Sequence, residues 1–453
     1  MGKDAAPQGS RMSRYWSFAI TVLASRSAME LALRLLPVLA KAGMTWPAAV
    51  LFRNAIRPLT AEPGRIRILA IEKAVFNNDV LQVLQDAPDV QVFGVGRAVV
   101  KAVAVAFLPR RLRSDDAYVN DDPEIDAAKD RLFRFWLKLW PKLGRIDAVL
   151  TSNWCYWAER EMARALEDMN TPFIVLHKEG IKPPARSAML RDLFRRTRGT
   201  FSGRRVLVYH QAELEHQVEG GIAQPDQVRV VGMPRLDASH EWRRRAAAGE
   251  FAVRAVRPTV LFAAFLTDNF LPSYSGIQSD LAWTDLALQT CAVLRRLAAE
   301  NPDIDVIVRP RLHEADGVRA LFGDASWPPN LRVLAEGGIT PLLEAAWVVV
   351  GHNTTVLFEA LAMGKPVVVP HFAEALDPRY AGYLVEVGDG AENAASPDDL
   401  ADRILAKCRQ PADIKVELSP AVDASLAHWT GNSDGRAAAR ARSVILAEIG
   451  RPN

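Results

Sequence analysis

At 453 residues the chain is long enough for two domains with separate cores, and its 49% hydrophobic and 24% charged residues exclude a disordered protein. A net charge of only +3 gives no global case for nucleic acid, and none is expected as a partner. Cys155, Cys291 and Cys408 stand far apart without a Cys-x-x-Cys pair, which excludes a disulfide framework or cysteine zinc site and agrees with a reducing cytoplasm.

Residues 1–10 read as a flexible tail, and Arg11 to about Arg57 as a helical segment. Tyr15 to Ser25 is uncharged but closed off by Arg14 and Arg26, so neither a signal peptide nor a membrane span is expected there. After the Glu62-Pro63-Gly64 break the pattern alternates. Strands are expected at Ile66–Ile71, Val90–Val95, Ala148–Thr151, Phe173–His177, Val206–His210 and Val228–Val231. Helices are expected between them at Val80–Asp86, Tyr156–Met169 and Ala212–Glu219. A charged helical stretch, Glu241–Glu250, precedes a second series. Its strands are Thr259–Phe265, Asp305–Arg309, Leu331–Leu334, Trp347–Val350 and Val367–Val369. Its helices are Leu281–Glu300, Gly317–Phe322, Thr340–Ala346 and Val356–Met363. Strands alternating with helices imply an α/β protein with parallel sheets. The expected division is a helical segment over 1–60, one Rossmann-like half over 61–237, a linker over 238–257 and a second half over 258–453. The site is expected in a cleft at the carboxyl ends of the strands.

The most telling stretch is Gly351-His-Asn-Thr-Thr-Val-Leu-Phe-Glu-Ala-Leu-Ala-Met-Gly-Lys-Pro-Val-Val-Val-Pro370, a buried strand, polar turn, short helix and second strand. A polar turn entering a helix offers N–H groups, hydroxyls and the positive dipole end, which suit a phosphate. Glu359, one turn inside, is placed to accept hydrogen bonds from ribose hydroxyls. The string resembles the nucleotide-binding signature of GT-B glycosyltransferases, including those of bacterial surface and capsular polysaccharide assembly. The resemblance implies a GT-B-like fold of two Rossmann-like domains and phosphate contacts from Asn353, Thr354 and Thr355. It also implies a nucleotide-activated donor as substrate, with no further cofactor and no metal. Helix capping by Asn353 or Thr354 is compatible with this role, and His352 is open between phosphate donor and packing residue.

Leu176-His-Lys-Glu-Gly-Ile-Lys182 ends an apolar strand with titratable groups, a costly arrangement unless they face a site or pair with one another. Lys178-Glu179-Gly180 resembles the paired-acid-plus-glycine motif of bacterial polysialyltransferases and Kdo transferases, whose acid is a general base. His177, Gly180 and Lys182 resemble the His-Gly…Lys motif of the CDP-glycerol transferases of teichoic acid synthesis. Lys178 stands where the first acid would be, so Glu179 is the expected base, with His177 second. The alternative is a loop ion pair between Lys178 and Glu179. Val306-Ile-Val-Arg-Pro-Arg-Leu-His-Glu314 resembles the Lys-Pro-His-Pro segment of the same transferases. It offers Arg309, Arg311 and His313 to the donor phosphate. Gly232-Met-Pro-Arg235…Asp237 resembles their Gly-x-Pro-Arg-x-Asp segment, with Arg235 read as supporting the fold. Asp303-Ile-Asp305 matches a metal-binding Asp-x-Asp but starts a strand, so it is read as a turn.

Two basic–aromatic patches, Arg131–Trp140 with Ala98–Arg113 and Arg191–Arg205, are candidates for peripheral contact with an anionic membrane or lipid-linked acceptor. Their alternative is core-facing helices with solvated charges. Together these readings point to a cytoplasmic transferase, with the inner face of the cytoplasmic membrane as a candidate location, and the GT-B resemblance makes 436–449 a candidate cross-back helix. It would move a sugar or CDP-activated polyol-phosphate onto a glycan or lipid-linked acceptor. The rival readings are a UDP-N-acetylglucosamine 2-epimerase-like enzyme and a non-catalytic nucleotide- or glycan-binding partner.

Overall fold

Two parallel sheets are built from strands that read as short apolar runs because helices cover both of their faces. The computed structural model describes residues 27, 29–73, 76–115, 118–119, 122–272, 279–323, 326–410 and 414–450. The expected tail and the Tyr15–Ser25 stretch lie outside these residues. The helical row opens with α1 (29–41) and α2 (Thr45–Asn54). The first sheet comprises β1 (Arg57–Pro58), β2 (Ile66–Glu72), β3 (Val90–Gly96), β4 (Ala148–Thr151), β5 (Phe173–Leu176), β6 (Arg205–Val208) and β7 (Val228–Val230), in the order β1-β3-β2-β4-β5-β6-β7. Among the described residues β2 and β3 pair in parallel from Ile66 opposite Val90 to Glu72 opposite Gly96, and β1 closes the edge antiparallel to β3.

The second sheet comprises β8 (Thr259–Ala263), β9 (Asp305–Arg309), β10 (Leu331–Val333), β11 (Val348–Gly351), β12 (Val367–Pro370) and β13 (Glu392–Ala394), in the order β10-β9-β8-β11-β12-β13. All its recorded pairings are parallel. The fold is α/β with two Rossmann-like sheets, as the alternating pattern implies, and is of the GT-B type that the resemblance implies.

By internal contacts the chain forms two bodies. The first holds residues 1–177, 196–206 and 444–453, and the second holds 178–195 and 207–443. In the first body, α5 (Pro123–Leu139) buries Leu132, Phe135, Trp136 and Leu139, and Trp136 meets Phe52 of α2 edge-to-face at 5.8 Å. The apolar half of the Arg131–Trp140 patch is therefore core, while Arg131 and Arg134 face solvent. In the second body, α7 (Pro184–Thr197) likewise buries Leu190, Leu193 and Phe194.

The period of two along a strand divides the core of the second body. Val260, Phe262, Val306, Val308, Val348 and Val350 enter one cluster with α10 (Thr284–Glu300) and α14 (Pro397–Arg409). Leu261, Ile307, Val349, Val367 and Val369 enter the other, with α13 (Val356–Ala362) and α15 (Pro420–Thr430). Ile181, Tyr209, Met233 and Leu236 join this second cluster, so segments early in the chain share the later segments' core.

Some elements start or stop elsewhere than expected. The helix near the expected linker is α9 (Leu236–Ala247), which begins five residues early because Leu236, Ser239, His240, Arg243 and Ala246 form one buried stripe. Likewise α6 (Arg160–Asp168) starts only after the buried turn residues Trp154–Trp157. Asp305, at the amino end of β9, lies 3.5 Å from both Arg257 and Arg332, which agrees with the turn reading of Asp-x-Asp. Among the described residues no cluster of His, Cys, Asp or Glu could hold a metal ion, and no helix is long and apolar enough to cross a membrane.

Asp237 fixes the last helix, α16 (Ala437–Ile449). Its carboxylate accepts from the Ala437 and Ala438 N–H groups at 3.0 and 2.8 Å and from Asn432 Nδ2 at 2.7 Å. Just before it, Gly431 has φ +60°, and a Cβ there would lie 1.9 Å from the Tyr209 carbonyl oxygen. Gly431→Ala is expected to cost more than about 2 kcal/mol in urea denaturation, because strain and clash combine. Gly249→Ala, at φ +76° but in open space, is expected to cost no more than about 1 kcal/mol.

Candidate active site

The order of the second sheet reverses between β8 and β11, since the chain winds outward through β9 and β10 and then returns to add β11, β12 and β13. Loops leaving the carboxyl ends of strands on either side of such a point diverge, and the gap is where α/β sheets hold ligands. Arg309, Ala263 and Gly351 lie in one register row there. The β9 and β11 ends therefore stand about 10 Å apart, two strand spacings.

After β11, Asn353 adopts φ +49°, a conformation asparagine tolerates better than most residues. Its side chain holds the 383–385 segment, with Nδ2 donating to the Tyr383 carbonyl at 2.9 Å and Oδ1 accepting from the Val385 N–H at 2.8 Å. Asn269, on the loop after β8, donates to the Asn353 carbonyl at 2.9 Å and ties the two switch-point loops together. Thr354, Thr355, Val356 and Glu359 are half-buried along the turn and first part of α13. Thr354 Oγ1 lies 3.4 Å from the Val356 N–H it faces. Lys365 is nearly buried, and its ammonium donates to the carbonyls of Val253, Glu344 and Ala346, which explains a lysine directly after the helix stop.

His352 is buried against Trp283 at 4.6 Å and Phe265 at 5.1 Å between ring centroids, and its Nε2 has no hydrogen-bond partner among the described residues. Burial pushes its pKa down to about 3, so the ring is neutral. This environment is that of a packing residue.

The basic triplet is split. Arg309 donates to the carbonyls of Leu334, Glu336 and Gly337 and so clamps the loop after β10. Arg311 pairs with Glu314 at 3.0 Å, and His313 lies 3.7 Å from the same carboxylate; both side chains are mostly exposed.

The loop after β5 is held through its backbone. The Lys178 carbonyl accepts from Tyr209 Oη at 3.1 Å, that of Glu179 from Lys182 Nζ at 2.6 Å, and that of Gly180 from His210 Nε2 at 2.9 Å. Arg235 donates to Tyr209 Oη at 3.0 Å, which makes it a support for this loop. Lys182 is also paired with Glu213 at 2.6 Å, both side chains being nearly buried, and Gln217 donates to the other Glu213 oxygen. A carbonyl can only accept, so His210 carries its proton on Nε2. Its Nδ1 then accepts from the Glu213 N–H and caps α8 (Gln211–Glu219). Burial pushes the His210 pKa down to about 4, in keeping with this neutral tautomer. A Cβ on Gly180 would lie 2.6 Å from the Tyr209 ring, so only glycine permits this packing. The result leaves the Glu179 side chain exposed at the turn and His177 buried behind it.

Two contacts bring this loop beside the switch point. Ala185, at the start of α7, packs on Gly382, next to the Tyr383 that Asn353 holds. The Arg186 guanidinium lies 4.8 Å over the Phe270 ring, on the loop after β8. Tyr209, His210, Glu213 and Asn269 thus hold these loops in place, and sequence reading passed them over. The available signal was a histidine at a strand end three residues before a glutamate, a cap written with an unusual residue.

Neither a protein-family model nor a curated protein matches the sequence. Solved structures do resemble it. One is a candidate UDP-N-acetylglucosamine 2-epimerase from Listeria monocytogenes, 12% identical, with a TM-score of 0.50 over 86% of this chain and 98% of that one. Others are the UDP-GlcNAc 2-epimerase of Neisseria meningitidis bound to UDP-GlcNAc (12%, TM-score 0.47, 84% and 100% covered) and the wall teichoic acid polymerase TagF (9%, 0.49, 94% and 98%). At these identities the likeness concerns the fold.

Three buried imidazoles, His210, His240 and His352, have pKa values pushed by burial from 6.5 to about 4, 4 and 3. The unfolded chain then binds more protons than the folded one, so stability is complete above pH 6.5 and is lost as pH falls toward 4. His352→Phe is expected to be tolerated at pH 7 and to make the fall in melting temperature between pH 7 and 5 shallower. A large loss of stability at pH 7 would refute the packing assignment.

Proposed function

We propose that the chain is a nucleotide-dependent glycosyltransferase-like enzyme that moves a sugar or polyol-phosphate unit from an activated donor to a glycan or lipid-linked acceptor. The observation that carries this reading is the meeting, within one body, of a hydroxyl-bearing switch-point turn and a rigidly backed loop presenting an exposed carboxylate. Ala185 on Gly382 and Arg186 over Phe270 make that connection.

The donor phosphates would lie at the turn before α13, where half-buried Thr354 and Thr355 bring two hydroxyls to the carboxyl end of β11. Glu359 would accept from ribose hydroxyls. Arg309 is committed to carbonyls, so Arg311 and His313, exposed beside Glu314, are the members of the triplet left to meet phosphate. Glu179 would take the proton of the acceptor hydroxyl as its oxygen bonds to the transferred group. The bond from that group to the nucleotide phosphate breaks, and the leaving phosphate keeps the electron pair. Lys182, Arg235 and His210 would act as positioning residues through the backbone they hold. His177, buried behind the loop, suits support better than proton transfer.

A second reading, epimerisation of a UDP-sugar, is favoured by the fold shared with the Listeria protein. It requires no acceptor, so incubation of a UDP-sugar alone and analysis of the recovered sugar separates the two. In the transferase reading, Glu179→Gln is expected to lower turnover about 10²- to 10⁴-fold while nucleotide affinity stays within about twofold. Thr354→Val with Thr355→Val is expected to weaken nucleotide binding in calorimetry about tenfold or more. Unchanged turnover in the first variant, with an established donor and acceptor, would defeat the assignment of the base.

A further inference from the structure

The helical N-terminal segment carries an apolar face that the fold does not use. At about 100° per residue, Ala32, Leu36 and Ala40 of α1 form one side of the helix and are buried, while Leu31, Leu35 and Val38 form the opposite side and are exposed. Met44, Trp46 and Val50 continue this exposed surface on α2 and the turn before it, with Val38 at 64% and Trp46 at 65% exposure. Among the described residues, six of the fourteen exposed large hydrophobic side chains lie within these twenty positions, so the apolar surface is concentrated and not scattered. A shallow depression lined by Pro37, Val38, Lys41, Ala42, Val105 and Ala106 adjoins it.

Charge identifies the occupant. Over residues 1–60 eight Lys and Arg face only Asp4 and Glu30, a net +6 in a chain whose total is +3. Arg34 and Lys41 lie on one flank of the exposed stripe of α1. They and Arg53 are exposed and take part in no ion pair among the described residues. A tryptophan and aliphatic side chains bordered by uncommitted long cations match the boundary between anionic headgroups and acyl chains. There the rings and methyls leave water and the cationic ends stay at the phosphates. A second copy of the same surface would instead bring Arg34, Lys41 and Arg53 against cations of their own kind.

We propose that this face docks the protein on an anionic bilayer, with Leu35, Val38 and Trp46 entering the headgroup region and Arg34, Lys41 and Arg53 contacting lipid phosphates. The surface lies on different residues from the Arg131–Trp140 and Arg191–Arg205 patches, whose apolar sides are core, and meets the Ala98–Arg113 stretch only at Val105 and Ala106 of the adjoining depression. It does not depend on the transferase reading.

The test is flotation of the full chain with vesicles of phosphatidylcholine alone or with about 30% phosphatidylglycerol. The expected result is co-flotation with the anionic vesicles only, released as salt is raised. Val38→Glu with Trp46→Glu is expected to reduce it about tenfold or more, with the melting temperature unchanged. Leu312→Glu with Leu376→Glu, exposed hydrophobic residues elsewhere, is expected to leave flotation intact. Should the first variant fail to fold, Arg34→Gln, Lys41→Gln and Arg53→Gln together carry the test and are expected to lose the preference for anionic vesicles. Absence of flotation with both vesicles, or equal flotation of the variants, would overturn the proposal. So would a dimer in light scattering that the Glu variant abolishes, which would assign the face to a second copy.

Discussion

Three consecutive backbone carbonyls, those of Lys178, Glu179 and Gly180, are each held by a different buried side chain, and the geometry around the candidate site depends on that arrangement. A free loop after a strand would let a carboxylate wander by several ångströms. Here Tyr209, Lys182 and His210 fix the backbone, while Glu213 neutralises the lysine that would otherwise sit buried and charged. Removing one member of such a pair leaves an uncompensated charge, a loss of several kcal/mol, whereas the intact pair adds little net stability. Its value is positional: a rigid backbone holds the one exposed carboxylate of the loop, Glu179, in a fixed place.

The same economy recurs across the second body. Arg309, Lys365 and Asn353 all satisfy backbone groups that turns leave without partners. Each sits at or beside the carboxyl end of a strand or at a helix stop. By binding main-chain oxygens they stiffen the loops around the switch point. Thr354 and Thr355 are half-buried beside these stiffened loops, and the Arg311 and His313 side chains are mostly exposed near Glu314.

Most of the architecture was legible in the sequence because parallel strands buried on both faces leave uninterrupted apolar runs. Ala148–Thr151 and Asp305–Arg309 match the expected bounds, and Gly364 ends α13 as a stop signal should. Side-chain roles were less legible, for a chemical reason. A guanidinium binds carbonyl oxygens and phosphate oxygens by the same fork, so the Arg309-Pro-Arg311 pattern could not tell a loop clamp from a ligand site. His352 looked equally at home in a phosphate cradle or between two aromatic rings, and only three-dimensional packing separates these. The stripe at Leu31, Leu35 and Val38 was passed over because apolar residues mixed with arginine read as an ordinary core-facing helix. A helix apolar on both sides requires knowing which side is covered. Over 373–390 short 3-10 turns interrupt the periodicity that signals helices and strands, whereas α14 and α15 carry a readable start signal, a capping serine before proline, that the reading does not use.

The central claim is that a nucleotide docks at the β8–β11 switch point of the second sheet. Hydrogen–deuterium exchange of the full chain with saturating nucleoside diphosphate, varied in its base, tests this most directly. The account predicts slowed exchange confined to the turn and helix start over 352–358 and to the loop around Asn269. Nucleotide binding with no protection there, or with protection at the carboxyl ends of the first sheet instead, would contradict it.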